Sequence, residues 1–254
     1  MRFFLEIQYD GANYHGWQKQ PNAITVQEVL AERLSRLLRT PTEVIASGRT
    51  DTGVHCSQQY AHFDTDNLTI LPHLQYKLNS ILPHDIGIRN IHRMKADAHA
   101  RFSATRRSYV YRIHTHKDPF LRAYSYRFYK PLDLEKMNEA AAFLKGFKDF
   151  EAFSKTKTEV KTFLCDIFHA EWVALEDGKK EFHITANRFL RGMVRLITGA
   201  LLDIGTGKLD LAGLEELIRT KRKDKFRNVA PAHGLYLCKV AYPPELFYHQ
   251  LLPA

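Results

Sequence analysis

The order of the predicted strands and helices in the first 93 residues constrains the fold more than any other feature. Residues 3–9 alternate apolar and polar side chains, which predicts an opening strand. Thr25 precedes an apolar stripe of helical period and has Glu28 three residues on, as a capping box requires. The elements predicted after that helix are strands over 43–47 and 57–64, a short helix over 72–81 and a strand over 86–93. Strand, helix, strand, strand, helix, strand is the order of a ferredoxin-like split βαβ unit.

The second half of the chain has a similar order of elements without repeating the sequence. The predicted elements are a strand over 107–114, a helix over 133–145, a hairpin over 165–187, helices over 188–204 and 210–220, and a last strand over 235–240. We therefore predict an α+β fold with two lobes, residues 1–104 and 105–254, which share a cleft or a continuous sheet.

The chain carries an excess of positive charge. Its 254 residues have a formal net charge of +9, and positive charge steers and holds nucleic acid. The three cysteines lie far apart, which argues against a disulfide framework and fits a reducing compartment. No apolar run approaches the length of a membrane span, and no cysteines or histidines are spaced as zinc ligands. We expect a cytoplasmic protein without a bound metal.

The segment from Ser47 to His55 places one carboxylate, that of Asp51, in a loop between two glycines. Arg49 stands two residues before it, and a neighbouring guanidinium favours the ionised form of a carboxyl group. A nucleophilic carboxylate needs that form. The alternative is an Asx-turn, in which the Asp51 carboxylate bonds only to nearby backbone N–H groups. The residues of the loop alone leave both possibilities open.

A second segment, from Asp97 to Tyr111, combines arginines with tyrosines. Cations contact phosphates and flat rings stack on bases, so this segment is a candidate RNA-binding surface. The candidate contacts are Arg101, Arg106, Arg107, Tyr109 and Tyr111. On a strand, Tyr109 and Tyr111 point the same way, and ordinary sheet packing explains them equally well.

A third segment, residues 186–195, opens an otherwise apolar predicted helix with Arg188, Arg191 and Arg195. At spacings of three and four residues, these arginines share one helical face. Such a row is usually solvated. A cation among buried positions instead needs a buried partner, and a carboxylate such as that of Asp51 would serve. The basic run over 221–227 is either a solvated loop or a further phosphate contact.

Several segments together resemble the TruA family of tRNA pseudouridine synthases, in the order in which that family has them. The Asp51 segment is the most specific of them. The matching pieces are Tyr9–Gln18, Gly48–His55, Asn79–Pro83, Ala100–Ala104, Tyr109 with Tyr111, Asp149–Phe150 with Phe153, Ala186–Asn187 with Phe189, Met193–Arg195, and Gly234–Leu237. We assign residues 155–164 to none of these segments.

The resemblance implies two ferredoxin-like (split βαβ) lobes with antiparallel sheets joined around a central basic cleft, and a homodimer. It implies conversion of uridine to pseudouridine in the anticodon arm of tRNA, at positions 38–40, without a cofactor. Asp51 matches the family's catalytic aspartate, and Tyr109 matches its tyrosine beside the target base. Arg49 matches the arginine associated with entry of the flipped nucleotide. Arg195 matches the arginine that pairs with the aspartate.

Two other functions would use the same features. A catalytically silent RNA-binding protein would present the same basic aromatic surface and would keep its function without the Asp51 carboxylate. A nucleoside or glycoside hydrolase with one carboxylate nucleophile commonly needs a second acid to protonate the leaving group. Asp10 and Asp97 are the nearest candidates, and neither stands in a comparable loop. The resemblance therefore favours the synthase.

Overall fold

The computed structural model describes residues 1–67, 72–155, 161–221 and 228–248. Over these residues the chain is a mixed α/β protein with nine strands and five α-helices, as the sequence predicts at that level. The strands are β1 (Arg2–Tyr9), β2 (Ile45–Ala46), β3 (His55–Asp64), β4 (Ile86–Met94), β5 (Arg106–His114), β6 (Tyr126–Arg127), β7 (Ile167–Ala174), β8 (Lys180–Ala186) and β9 (Leu235–Ala241). The helices are α1 (Val26–Leu38), α2 (Leu74–Ile81), α3 (Leu134–Leu144), α4 (Met193–Gly205) and α5 (Leu211–Thr220).

The chain divides into two compact units. The first comprises Met1–Thr105 together with Leu237–Ala254, and the second comprises Arg106–Tyr236. The boundary therefore falls inside β9, whose last five residues belong to the first unit. Among the residues described, no helix is long and apolar enough to cross a membrane.

The sheet of the first unit is built around β1. This strand pairs antiparallel with β3 on one side and with β4 on the other, and β2 pairs antiparallel with β3. The resulting order is β4-β1-β3-β2, with β9 also next to β3. The apolar positions of β1 are buried as the alternation predicts, and the ring of Phe3 stacks on that of Phe63 at 5.6 Å.

The opposite face of β1 is also covered at Phe4 and Glu6, which the alternation does not predict, whereas Gln8 is exposed. Phe4 is buried and its ring contacts that of Tyr242 edge-on at 5.2 Å. Glu6 on the same face is buried and accepts hydrogen bonds from Gln58 at 2.8 Å and Asn90 at 2.9 Å. Burial opposes ionisation of this carboxyl group, but the hydrogen bonds outweigh it and lower the pKa of Glu6.

The predicted capping box of α1 does not form. Thr25 occupies the N-cap position, but its side chain makes no capping hydrogen bond. The Thr25 hydroxyl is buried and has no hydrogen-bond partner within the described part of the chain. Glu28 lies 3.6 Å from Lys19 Nζ instead. The start of α1 is held by the preceding loop, because Val26 N–H donates to the carbonyl of Gly16 and Gln27 N–H to that of Trp17.

The sheet of the second unit contains β5, β8 and β7 in that order, paired antiparallel, and β6 adds to β5 in parallel. The predicted hairpin is confirmed, since β7 and β8 flank a turn in which Asp177 and Gly178 both have positive φ. Helices α3 and α5 begin where the sequence predicts. The side chains of Asp133 and Asp210 cap them by accepting N–H bonds at 3.1 Å and 2.8 Å.

Helix α4 begins later than the predicted helix over 188–204. Its N-cap is Gly192, which has a φ of +74°, and its first residue is Met193. Arg188 and Arg191 therefore precede the helix, and the prediction that they share a helical face with Arg195 is wrong. Residues 188–192 contain no signal that stops a helix except Gly192, and a prediction from periodicity treats that glycine as an ordinary helical position.

Candidate active site

The loop that carries Asp51 connects β2 to β3. Asp51 is half-buried and Arg49 is exposed. Val54 N–H donates to the carbonyl of Asp51 at 3.2 Å, closing a turn in which Gly53 has a φ of +75°. The side chain of Asp51 is thus presented from a tight turn directly before a long buried strand, a geometry that limits how far the carboxylate can move.

A second loop, residues 10–17, is packed against the backbone of the Asp51 loop. Trp17 N–H donates to the carbonyl of Thr50, and Gly53 N–H donates to the carbonyl of Tyr14, each at 3.2 Å. Gly16 has a φ of +83°, and a Cβ atom there would lie 2.4 Å from the carbonyl oxygen of Thr50. Only glycine allows so close an approach of the two backbones.

Side chains reinforce the contact between the two loops. The hydroxyl groups of Tyr9 and Thr50 are hydrogen-bonded at 2.8 Å in a buried position. Nδ1 of the buried His55 lies 3.1 Å from the Gly11 nitrogen and 3.0 Å from an oxygen of Asp10. Protonated, Nδ1 donates to the Asp10 carboxylate, and unprotonated it accepts from the Gly11 N–H. Either way, the imidazole ties the end of β1 to the start of β3.

Tyr14 anchors the far side of the 10–17 loop. Its hydroxyl donates to a carboxylate oxygen of Asp85 at 2.5 Å, and Asp10 N–H donates to the carbonyl of Asp85 at 2.9 Å. Burial, followed by the hydrogen bond to the Asp85 carboxylate, raises the pKa of Tyr14. The phenol therefore stays protonated as a donor at neutral pH, which keeps the loop attached to the residues before β4.

In the second unit, Tyr109 lies in the middle of β5, where it pairs with Ile184 of β8. Its side chain is buried, and its ring meets that of Phe189 edge-on at 5.1 Å. An edge-to-face contact of this kind is favourable between aromatic rings and helps to fix the orientation of the Tyr109 ring.

Arg195 is half-buried in the first turn of α4. Its Nε donates to the carbonyl of Ala230 at 2.7 Å, and the Ala230 N–H donates back to the carbonyl of Arg195 at 3.2 Å. This reciprocal pair fixes the stem of the guanidinium. Gly199, one turn further along, allows the approach, since a Cβ atom there would lie 1.8 Å from the carbonyl oxygen of Asn228.

The remaining candidate arginines differ in exposure. Arg101 and Arg106 are exposed, with their guanidinium groups over the rings of Phe102 at 5.5 Å and Phe168 at 4.9 Å. Arg107 is buried, and its Nη1 donates to the carbonyl of Asn187 at 2.8 Å. Arg191 is exposed and Arg188 is half-buried.

The basic run over 221–227 lies outside the described residues except for its first member. Lys221 Nζ is 2.7 Å from an oxygen of Asp149 and 3.1 Å from one of Glu151. This cation is therefore paired with acids of its own unit.

The structure thus places Asp51 and Arg49 in the first unit, and Tyr109 and Arg195 in the second.

The sequence analysis did not identify the residues that hold the Asp51 loop in place. Thr50 and Tyr9 are 41 residues apart, and no periodic pattern shows that their side chains meet. The closely spaced glycines of the 10–17 loop were the one available signal, since glycine often marks a close approach of two backbones.

Comparison with known proteins gives consistent results. A family model described as tRNA pseudouridine synthase matches residues 6–103 and 140–243. The chain is 48% identical over 247 residues to a tRNA pseudouridine synthase A of Bacteroides fragilis, covering 97% of this chain and 98% of that protein. It is 39% identical over 246 residues to a tRNA pseudouridine synthase A of Bacillus subtilis (strain 168), covering 95% and 99%. A solved archaeal box H/ACA sRNP Nop10-Cbf5 complex aligns with 79% of this chain and 43% of that one, at 11% identity; its TM-score of 0.34 is too low to carry an argument.

Proposed function

Because the chain belongs to the tRNA pseudouridine synthase family, and so isomerises uridine to pseudouridine in tRNA, we propose that it acts on the anticodon arm, at positions 38–40, with Asp51 as the reacting group. The positions in tRNA follow from the family resemblance, and the observation that carries the role of Asp51 is the set of contacts that hold its turn in place. A carboxylate is held on a turn whose neighbours are bonded to a second loop through both backbone and side chains. Such restraint is what a reacting group needs and what an ordinary surface Asx-turn does not.

The reaction requires few participants. The bond between uracil N1 and ribose C1′ breaks, the base turns, and C5 bonds to C1′; the proton lost from C5 is balanced by one gained at N1. The ionised carboxylate of Asp51 either attacks the sugar or removes a proton from it, and both routes begin from the charged form. The isomerisation is internally balanced, so we propose no cofactor and no metal.

Three further residues take the roles that the resemblance gives them. The target base must leave its stack before it can react. We assign Arg49, exposed beside Asp51, to the entry of the flipped nucleotide. Tyr109 supplies a flat surface for the uracil, with its own ring oriented by Phe189. We assign to Arg195 the pairing with the aspartate that the resemblance implies, and its bonds to Ala230 fix the stem of that cation.

Exposed arginines extend the proposal to the RNA backbone. Arg101 and Arg106 each lie over an exposed aromatic ring, a pairing that can bind phosphate and base together. Arg188 and Arg191, on the segment before α4, are further candidate phosphate contacts. Arg107 belongs with these candidates by sequence, but it is buried and donates to the Asn187 carbonyl, so we assign it a supporting role behind the RNA surface.

The architectural expectations that come with the family belong to the same proposal. The order β4-β1-β3-β2 of the first unit supports a ferredoxin-like lobe. We propose a second such lobe, a functional division of the chain into residues 1–104 and 105–254 around a basic RNA-binding cleft, and a homodimer acting in the cytoplasm.

Mapping pseudouridine in tRNA from cells with and without this protein tests the proposed positions. We expect pseudouridine at positions 38–40 to disappear from affected tRNAs when the gene is deleted, and to return with the intact gene. Pseudouridine elsewhere in the same tRNAs serves as the internal control. Unchanged modification at positions 38–40, with loss at another position, would contradict the proposed positions.

A further inference from the structure

The hydroxyl groups of Tyr9 and Thr50 form a hydrogen bond at the base of the Asp51 loop. The two oxygens are 2.8 Å apart, and both side chains are buried, with Tyr9 5% and Thr50 7% exposed. Removing one partner of a buried hydrogen bond costs about 1–3 kcal/mol, so this bond contributes to holding both side chains in place. Because Thr50 directly precedes Asp51 along the chain, this bond restrains the residue next to the one that carries the carboxylate.

The pairing between β1 and β3 is irregular next to Tyr9. Between Ile7 and Tyr9, two steps along β1 match three along β3, so the extra residue lies in β3, and Tyr9 pairs with Cys56. A bulge bends the strand that contains it, which here is the strand that leaves the Asp51 loop. The ring of Tyr9 lies 6.2 Å from that of the buried Trp17, so Tyr9 packs beside a residue whose N–H donates to the carbonyl of Thr50.

Thr50 is also held through its backbone. Its carbonyl accepts the Trp17 N–H at 3.2 Å, and Gly16 approaches the same carbonyl more closely than any other residue type could. The following carbonyl, that of Asp51, accepts the Val54 N–H. With the Tyr9 bond in place, residue 50 is fixed at its side chain and at its carbonyl, so the backbone that carries Asp51 has little freedom to rotate.

From these contacts we propose that Tyr9 is a positioning residue for the reaction, acting through the hydroxyl of Thr50 on the orientation of the Asp51 carboxylate. The proposal rests on the function assigned to Asp51. Tyr9 contacts neither the substrate nor a reacting atom in this scheme. Its loss should lower the rate of the chemical step and leave tRNA affinity unchanged, since a misplacement of about 1 Å at a reacting group can cost about 100-fold in rate.

The variants Tyr9→Phe and Thr50→Val each remove one hydroxyl with little change of shape, and Thr50→Ser keeps it. A matched control is Tyr242→Phe, which removes another tyrosine hydroxyl of the first unit, one that donates to the carbonyl of Ala100. The measurements are the single-turnover rate of pseudouridine formation at saturating tRNA, the dissociation constant for tRNA, and the thermal melting of each variant, with rates expressed per folded molecule.

We expect Tyr9→Phe and Thr50→Val each to lower the single-turnover rate about 10-fold or more with tRNA affinity within twofold of wild type. Thr50→Ser and Tyr242→Phe should keep wild-type rates. The double variant should be no slower than the slower single variant, because both changes break one bond.

Two results would overturn the inference. Rates within twofold of wild type for both single variants would show that the hydroxyl pair does not position the carboxylate. A double variant whose loss is the product of the two single losses would show that the hydroxyls act separately. An active Asp51→Asn variant, tested alongside, would instead refute the proposed role of Asp51. Failure of the inference about Tyr9 can therefore be told apart from failure of the proposed function.

Discussion

Asn187 and Asp166 form three hydrogen bonds with each other at the open end of the β7–β8 hairpin. Asp166 N–H donates to Oδ1 of Asn187 and Nδ2 of Asn187 donates to Oδ2 of Asp166, both at 2.9 Å. The Asn187 N–H donates to the Asp166 carbonyl at 3.1 Å. Oδ1 of Asn187 also accepts the N–H of Arg188, so one amide side chain closes the hairpin and sets the direction of the segment that leads to α4.

The first prediction concerns this amide. Asn187→Ala removes three hydrogen bonds, and we expect the free energy of unfolding to fall by about 2 kcal/mol. Because Phe189 orients the ring of Tyr109, activity should fall more than the loss of folded protein explains. Urea unfolding and pseudouridine assays measure the two effects.

Asn138→Ala is the matched control for that experiment. Asn138 bridges both backbone groups of Trp172, at 2.7 Å and 3.0 Å, elsewhere in the second unit. Its loss should lower stability by a similar amount and leave the activity per folded molecule unchanged. Equal activity losses in the two variants would mean that Asn187 stabilises the fold without orienting the site.

The second prediction separates crowding from backbone strain at Gly16. Gly16→Ala places a methyl group 2.4 Å from the Thr50 carbonyl oxygen, whereas Gly207, with a similar φ of +72°, has no atom within 4 Å of a built Cβ. Gly207→Ala should lower the free energy of unfolding by about 1 kcal/mol, because the left-handed backbone alone disfavours alanine there. Gly16→Ala should lower the free energy of unfolding by clearly more than that. It should also reduce the rate of pseudouridine formation, because the Asp51 loop must move.

Chemical unfolding of both glycine variants provides the measurement. Similar destabilisation at Gly16 and Gly207, with normal activity in both, would show that the close approach of the two loops is dispensable.

The third prediction follows from the buried His62. Burial, together with the positive charges of Arg2 and His99, lowers the pKa of His62 to about 4, below the usual value of about 6.5. Between these two values the unfolded chain binds the proton and the folded chain does not. The contribution of neutral His62 to the free energy of unfolding is therefore fully present above about pH 6.5. It is lost as the pH is lowered towards 4, by an amount of the order of 2 kcal/mol.

Unfolding of the wild type and of His62→Gln at pH 7 and pH 4.5 tests this dependence. Both proteins keep the other histidines and carboxyl groups, so the difference between their pH slopes isolates His62. The variant should lose less stability on acidification than the wild type does. Parallel losses would show that His62 titrates normally in the folded protein.

The fourth prediction concerns the cation of Arg195. Arg195→Met and Arg195→Lys both lose the Nε–H bond to the Ala230 carbonyl, at a cost of about 1 kcal/mol each. If Arg195 acts through its positive charge, the lysine variant should retain far more activity than the methionine variant at equal stability. Thermal melting and initial rates with tRNA check this. Identical rates in the two variants would make Arg195 a structural residue.

The sequence predicted most of the elements and the identity of the candidate site, but not the contacts that hold the site. Apolar alternation and turn residues act locally, so β1, the β7–β8 hairpin, α3 and α5 were all found. The start of α4 was misjudged because periodicity continues through residues 188–192 while Gly192 adopts a left-handed backbone. The covered outer face of β1 and the pairing of Tyr9 with Thr50 depend on residues far apart in the chain, and no local pattern encodes them.

The most direct test of the account is the conversion of uridine in an unmodified tRNA by the wild type and by Asp51→Asn. The amide has the shape of the carboxylate but cannot become a negatively charged nucleophile or base. Asp64→Asn is the control, since its carboxylate is paired with Arg2 on the surface at 2.8 Å. The account predicts that wild type and Asp64→Asn form pseudouridine, and that Asp51→Asn binds tRNA with comparable affinity but forms none. Pseudouridine formed by Asp51→Asn at the wild-type rate would contradict it.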